Sequence, residues 1–173
     1  MTGINLKEFI RDVPDFPKPG ILFRDITPLL SDHRAFQASI DGFVERYADQ
    51  AIDCVVAAES RGFIFGAPLA LRLNAAFVPI RKPGKLPFDK KSQSYELEYG
   101  TDTLEIHSDA LRPGQRVLII DDLLATGGTV AACIKLLESF SVEIVECAFA
   151  INLTLLNGQQ LLSPHKTYSL MEY

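Results

Sequence analysis

The feature that most constrains this chain is the run Val117-Leu118-Ile119-Ile120-Asp121-Asp122-Leu123-Leu124-Ala125-Thr126-Gly127-Gly128-Thr129. A four-residue apolar stretch rich in branched side chains reads as a buried strand. It ends in two acids, and a loop of small residues then opens directly into a helical pattern. Strand, glycine-rich turn and helix in immediate succession belong to parallel α/β sheets, where ligands sit beyond the carboxyl ends of the strands.

The flanking segments repeat that rhythm. Cys54–Ala58 and Phe77–Ile80 are short apolar strands, Phe63–Leu73 reads as a helix between them, Thr129–Phe140 as the next helix and Glu143–Leu153 as a long strand. Right-handed crossovers then give a central, mostly parallel sheet flanked by helices. Asn5 is placed to cap a short helix whose apolar positions are Leu6, Phe9, Ile10 and Val13, and Asp32 to cap one carrying Phe36, Ile40, Phe43, Val44 and Tyr47. Between them Pro14, Pro17, Pro19 and Gly20 impose an extended arm through Ile21–Ile26. Residues 82–93 read as loop, and Ser94–Glu98 with Thr101–His107 as an antiparallel hairpin around Tyr99-Gly100. No repeat or linker divides the 173 residues, so a single domain is expected.

Charge and cysteine usage narrow the function. Net charge is −5 and the longest apolar stretch, Phe63–Leu71, has nine residues, so neither a nucleic-acid surface nor a membrane span is expected. The charged N-terminal segment does not read as a signal peptide. Cys54, Cys133 and Cys147 are widely spaced within apolar runs, as reduced core thiols of a cytoplasmic protein would be. His33, His107 and His165 share no ligand spacing. Against this acidic background, Arg81–Lys91 carries five basic residues and one acid, a local +4 that leaves −9 for the remainder. A basic island on an acidic chain suggests a small anionic ligand.

The central run specifies that ligand further. Gly127 and Gly128 let backbone N–H groups approach an anion, Thr126 and Thr129 add hydroxyls, and the following helix adds the field of its N-terminus. The lysine of a nucleoside-triphosphate loop is missing. Asp121 and Asp122 would repel a phosphate they faced, but can accept hydrogen bonds from sugar hydroxyls, with or without a divalent cation nearby. A phosphorylated ribose satisfies both halves.

This run resembles the 5-phosphoribosyl-1-diphosphate (PRPP) signature of the type I phosphoribosyltransferases. Four further segments make the chain similar to the adenine-using branch of that family: PDFPKPGILFRDITPLL at 14–30, AAESRGFIFGAPLA at 57–70, RKPGKLP at 81–87 and LEYGTDTLEIH at 97–107. The resemblance implies purine salvage, with adenine and PRPP giving AMP and diphosphate, Mg²⁺ held mainly by substrate oxygens and water, and a homodimer.

It also implies roles for particular residues. Asp121 and Asp122 would bind the ribose hydroxyls, and Ala125, Thr126, Gly127, Gly128 and Thr129 the 5-phosphate. Glu59, Ser60 and Arg61 would form the diphosphate loop, with a non-proline cis peptide, helped by Arg81, Lys82 and Lys85. Residues 1–30 would supply the N-terminal arm and hood, in which Leu22 and Arg24 read adenine through their backbone with Phe23 nearby. Residues 82–100 would be a lid carrying Glu98 as acid/base and Tyr99 as a covering group. Lys90 and Lys91 are read equally well as part of an ordinary solvated loop. A PRPP-sensing regulator on the same fold is the alternative, though a DNA-reading one should carry an added basic element.

Overall fold

The computed structural model describes residues 3–97 and 100–173, and within these the side chains of all but residues 96, 97 and 100. Asn5 accepts a hydrogen bond from Lys7 N, but it opens only a 3₁₀ turn, Leu6–Phe9. Val13 belongs instead to strand β1 (Arg11–Pro14), which pairs antiparallel with β2 (Leu22–Asp25). Proline after Val13 removes the amide that a continuing helix needs, so the predicted helical stripe is cut short. The arm predicted as merely extended is therefore one strand of a two-stranded ribbon, separate from the main sheet.

Helix α1 (Thr27–Ser31) leads into α2 (His33–Tyr47), which Asp32 caps by accepting from Arg34 N and Ala35 N. Strand β3 (Cys54–Ala58), helix α3 (Gly62–Arg72) and strand β4 (Ala76–Ile80) form the first crossover. Strands β5 (Lys90–Leu97) and β6 (Gly100–His107) form the hairpin, with Leu97 opposite Gly100. Residues 90–93, predicted as loop, are thus strand; cross-strand pairing to Gln93's partner Leu104 and onward to His107 overrides their polar composition.

Strand β7 (Arg116–Leu124), helix α4 (Gly128–Glu138) and strand β8 (Glu143–Asn152) complete the core crossover. Helix α5 (Gly158–Leu162) and strand β9 (Thr167–Glu172) follow, neither of which the sequence pattern revealed. The five-stranded sheet has the order β4-β3-β7-β8-β9, and every neighbouring pair is parallel.

Each face of the sheet buries its own core. On one side Val117, Ile119 and Phe149 pack with Cys133, Leu136 and Leu137 of α4 and with Leu104 and Ile106 of β6. On the other, Val55, Leu118 and Ile120 pack with Phe43 and Tyr47 of α2 and Phe65 and Leu69 of α3. All three cysteines are free and buried, and burial pushes the thiols of Cys54 and Cys147 up to about 12, which leaves them protonated and inert. Helix α4 ends without glycine: Ser141 takes the left-handed conformation at φ 55°, a position glycine fills more easily. Among the described residues no helix is long and apolar enough to cross a membrane.

Candidate active site

The strand ends that the sequence marks as chemically loaded do converge. At the carboxyl edge of β3 and β7 a cleft of about 540 Å³ is lined by Glu59, Ser60 and Arg61, by Lys82, and by the continuous segment from Asp121 to Val130. Parallel pairing causes the convergence: Ala57 of β3 stands opposite Ile120 of β7, so the residues that follow each strand emerge side by side. The peptide bond between Glu59 and Ser60 is cis.

One boundary differs from expectation. β7 does not stop before its acids but runs on to Leu124, with Asp121 opposite Phe149 and Leu124 opposite Asn152. Ladder hydrogen bonds thereby hold Asp121 and Asp122 on rigid backbone. Asp121 accepts a hydrogen bond from the backbone N–H of Asp122 at 2.8 Å through Oδ1. Burial, and secondarily the charge of Asp122, push the Asp121 carboxyl well above the ordinary carboxylate range.

Of the four cations assigned to the site, Arg61, Arg81 and Lys82 are held by acids among the described residues. Arg61 forms an ion pair with Asp122, its Nε lying 2.6 Å from Oδ2, and its guanidinium stands 5.6 Å from the centre of the Phe23 ring. Arg81 donates from Nε to Glu59 Oε2 at 2.7 Å, behind the cleft wall, and Lys82 Nζ lies 3.0 Å from Asp102 Oδ2. That pairing lowers the Asp102 carboxyl and raises the Lys82 ammonium, the hydrogen bond between them being the main cause in each. Lys85 is exposed, lies outside the cleft lining and makes no ion pair among the described residues. Arg81 and Lys85 are therefore not brought to the cleft surface with Arg61 and Lys82.

The loop after β7 is built as a cradle. Gly127 sits at φ 88° and precedes α4 without any side-chain cap, so the first amides of an 11-residue helix are not claimed by a capping side chain. Its backbone is pressed against the start of α5: a Cβ on Gly127 would lie 2.7 Å from Gly158 O, and one on Gly158 would lie 2.2 Å from Ala125 O. Gly158 is not legible from the sequence, because a lone glycine in LLNGQQLL gives no sign of what it faces. Tyr95 is a second group that the sequence pattern did not single out. Its ring lies 3.9 Å from where a Gly128 Cβ would stand, its hydroxyl donates to Asp102 Oδ2 at 3.5 Å, and burial pushes its phenol upward. The hairpin thus rests on the cradle.

Leu22, Phe23 and Arg24 stand on β2, outside the cleft lining, with Phe23 reaching it only through Arg61. The Arg24 side chain pairs with Asp12 and lies over Tyr173, leaving its backbone as what it can offer a ligand. Glu98 and Tyr99 lie outside the described residues.

Among the described residues no group of three metal-ligating side chains exists, and of the cleft's carboxylates Asp122 and Glu59 are engaged by arginines. This donor set cannot cage a divalent ion alone, but it fits one that arrives on a ligand's own oxygens.

Comparison with known proteins bears on this geometry. Residues 29–169 match the phosphoribosyl transferase domain model. An adenine phosphoribosyltransferase of Rhodopirellula baltica is 62% identical over 98% of this chain and 82% of its own length. The crystal structure of adenine phosphoribosyltransferase from Thermoanaerobacter pseudethanolicus superimposes with a TM-score of 0.94 at 52% identity, covering 97% of this chain and 98% of that one. The Saccharomyces cerevisiae enzyme, crystallised with an imino-altritol bisphosphate and adenine, gives 0.91 at 41% identity, covering 95% and 96%.

Proposed function

The chain belongs to the adenine phosphoribosyltransferase family, and we propose that the cleft at the ends of β3 and β7 is where it transfers the 5-phosphoribosyl group of PRPP to adenine, giving AMP and diphosphate in purine salvage. The observation that carries this assignment of the site is the joining, on one rigid strand end, of two carboxylates with an uncapped helix N-terminus. The first suits sugar hydroxyls and the second suits a phosphate.

Each part then has work to do. The amides and hydroxyls of Ala125–Thr129 hold the 5-phosphate, and Asp121 and Asp122 orient the ribose by accepting from its hydroxyls. PRPP carries about four to five negative charges near neutral pH. It therefore competes with Asp122 for Arg61, and with Asp102 for Lys82. Exchange of those partners converts two internal ion pairs into diphosphate contacts, with Ser60 adding a donor and Arg81 fixing Glu59 beside them. The ligand's own diphosphate and ribose oxygens, with water, would hold Mg²⁺, which would neutralise charge on the leaving group.

As the bond from the anomeric carbon to the diphosphate oxygen breaks and the bond to a ring nitrogen of adenine forms, positive charge builds on the sugar. The lid at 82–100 excludes water that would otherwise capture that carbon. Tyr99 helps to cover the site, and Glu98 accepts or returns a proton on the purine ring. The backbone groups of Leu22 and Arg24, with the Phe23 ring beside them, read the base. We further assign the enzyme to the cytoplasm, which the three buried free thiols support, and to a homodimer, which rests on the family resemblance alone.

Incubation of the protein with labelled adenine, PRPP and Mg²⁺ is expected to yield AMP and diphosphate in equal amounts. Guanine or hypoxanthine competing better than adenine would overturn the base assignment. Glu98→Gln is expected to lower kcat by about 10²–10⁴-fold, with the Kd for PRPP little changed. An unchanged rate would move the proton to another group.

A further inference from the structure

The β1–β2 ribbon makes no ladder hydrogen bonds to the main sheet, so side chains must fix its position over the cleft. Phe23 approaches Arg61 across the cleft mouth, but that arginine is the residue which must release Asp122 when PRPP arrives. A different tie lies on the far side of β2. The Arg24 guanidinium sits 4.1 Å above the centre of the Tyr173 ring, and Lys7 Nζ approaches the same ring at 4.9 Å. Asp12, directly opposite Arg24 in the ribbon, holds the guanidinium from the other strand.

Tyr173 is itself anchored to the main sheet. Its N–H donates to Asn152 O at 2.9 Å, and its carbonyl accepts from Thr154 N at 2.8 Å and from Thr154 Oγ1 at 2.7 Å. Asn152 stands opposite Leu124 of β7, immediately before the phosphate cradle. One continuous path thus runs from the cradle strand, through Asn152 and the Tyr173 ring, to the residue whose backbone faces the base.

We propose that Tyr173 is a positioning residue for the adenine subsite: its ring fixes Arg24, and through it the backbone of β2, relative to the sheet that carries the ribose. The inference rests on the assignment of β2 to base recognition. A backbone donor or acceptor cannot adjust its reach by changing rotamer, so its placement depends wholly on what holds the strand. The arginine–aromatic contact and the ion pair to Asp12 supply that hold.

Tyr173→Ala is expected to raise KM for adenine about fivefold or more, the range that loss of a partly desolvated cation–π contact commands, with KM for PRPP changed by less than about twofold. Tyr173→Phe, which keeps the ring face, is expected to restore the wild-type value. Should the alanine variant fold poorly, Tyr173→Leu keeps apolar volume without the ring and carries the same expectation. Equal rises in both KM values, or no rise in that for adenine, overturn the proposal. Phe23→Ala separates it from its premise. If that variant leaves KM for adenine unchanged, β2 does not read the base; if it raises KM while the Tyr173 variants do not, only the role of Tyr173 falls.

Discussion

Asp122→Asn is expected to lower kcat/KM for PRPP by about 10–100-fold while leaving the fold intact, the range given by hydrogen bonds to a charged acceptor worth about 1.5–3 kcal/mol. Asp122 has one oxygen on Arg61, its side chain is only 7% exposed, and it lines the cleft. The amide matches its shape but presents one acceptor where the carboxylate presents two, and it no longer draws the guanidinium. Because Arg61 is 48% exposed, the lost ion pair itself costs the fold little. Asp121→Asn should separate function from stability more sharply. Its carboxyl is raised above the ordinary range, chiefly by burial, so ionisation is less favourable in the folded chain than in the unfolded one. The contribution of this one group to native stability is therefore full below the ordinary Asp pKa and is lost as pH rises through the raised folded value. Asparagine removes that titration and can still accept the Asp122 N–H. Thermal melts across pH should show the variant melting above the wild type at pH 7–8, with the gap closing in acid, while steady-state assays show weakened use of PRPP. Wild-type kinetics in both variants would defeat the ribose assignment.

The same two residues show how far the sequence could be read. Asp121, Asp122 and the loop to Thr129 were legible because their chemistry is local: consecutive residues form the strand end, the turn and the helix start, and no distant partner is needed to recognise them. The parallel sheet was legible for a related reason, since apolar runs of strand length alternated with helical ones. What stayed hidden depends on contacts remote in sequence. Arg61 is identifiable as a cation at a strand end, but nothing local says that its resting partner is Asp122 rather than a ligand. Lys82 and Asp102 meet only because β6 returns alongside the start of the lid. Strand β9 has the mixed composition TYSLME, with one buried residue in six, and becomes a strand because β8 offers it an edge. Arg24 is a further case. The resemblance assigns it a role through its backbone, and the structure agrees in committing its charge to Asp12 and Tyr173, partners that no local pattern reveals.

Gly158→Ala is the substitution expected to disturb the site most for the smallest change in chemistry. Only space is at issue, since Gly158 does not occupy the left-handed region, whereas its neighbour Asn157 does at φ 52°. The added methyl would stand 2.2 Å from Ala125 O, 2.9 Å from Leu124 Cδ1 and 3.1 Å from Gly127 N. The leucine can turn aside; the two backbone atoms cannot, because they belong to the loop that ends β7 and opens α4. Either α5 or the cradle must move by more than half an ångström. Overpacking of this kind costs about 1–3 kcal/mol, which for a chain of this length lowers Tm by about 3–10 °C. Displacement of Ala125 and Gly127 turns donors away from the 5-phosphate, so KM for PRPP should rise about tenfold, with KM for adenine much less affected. Gln159→Ala, one residue further along the same helix and exposed, serves as the comparison and is expected to behave as the wild type. A Gly158→Ala protein with reduced Tm but an unaltered KM for PRPP would mean that α5 yields and the cradle does not. The close backbone contact would then serve the fold alone, and the phosphate loop would owe its shape to β7 and α4.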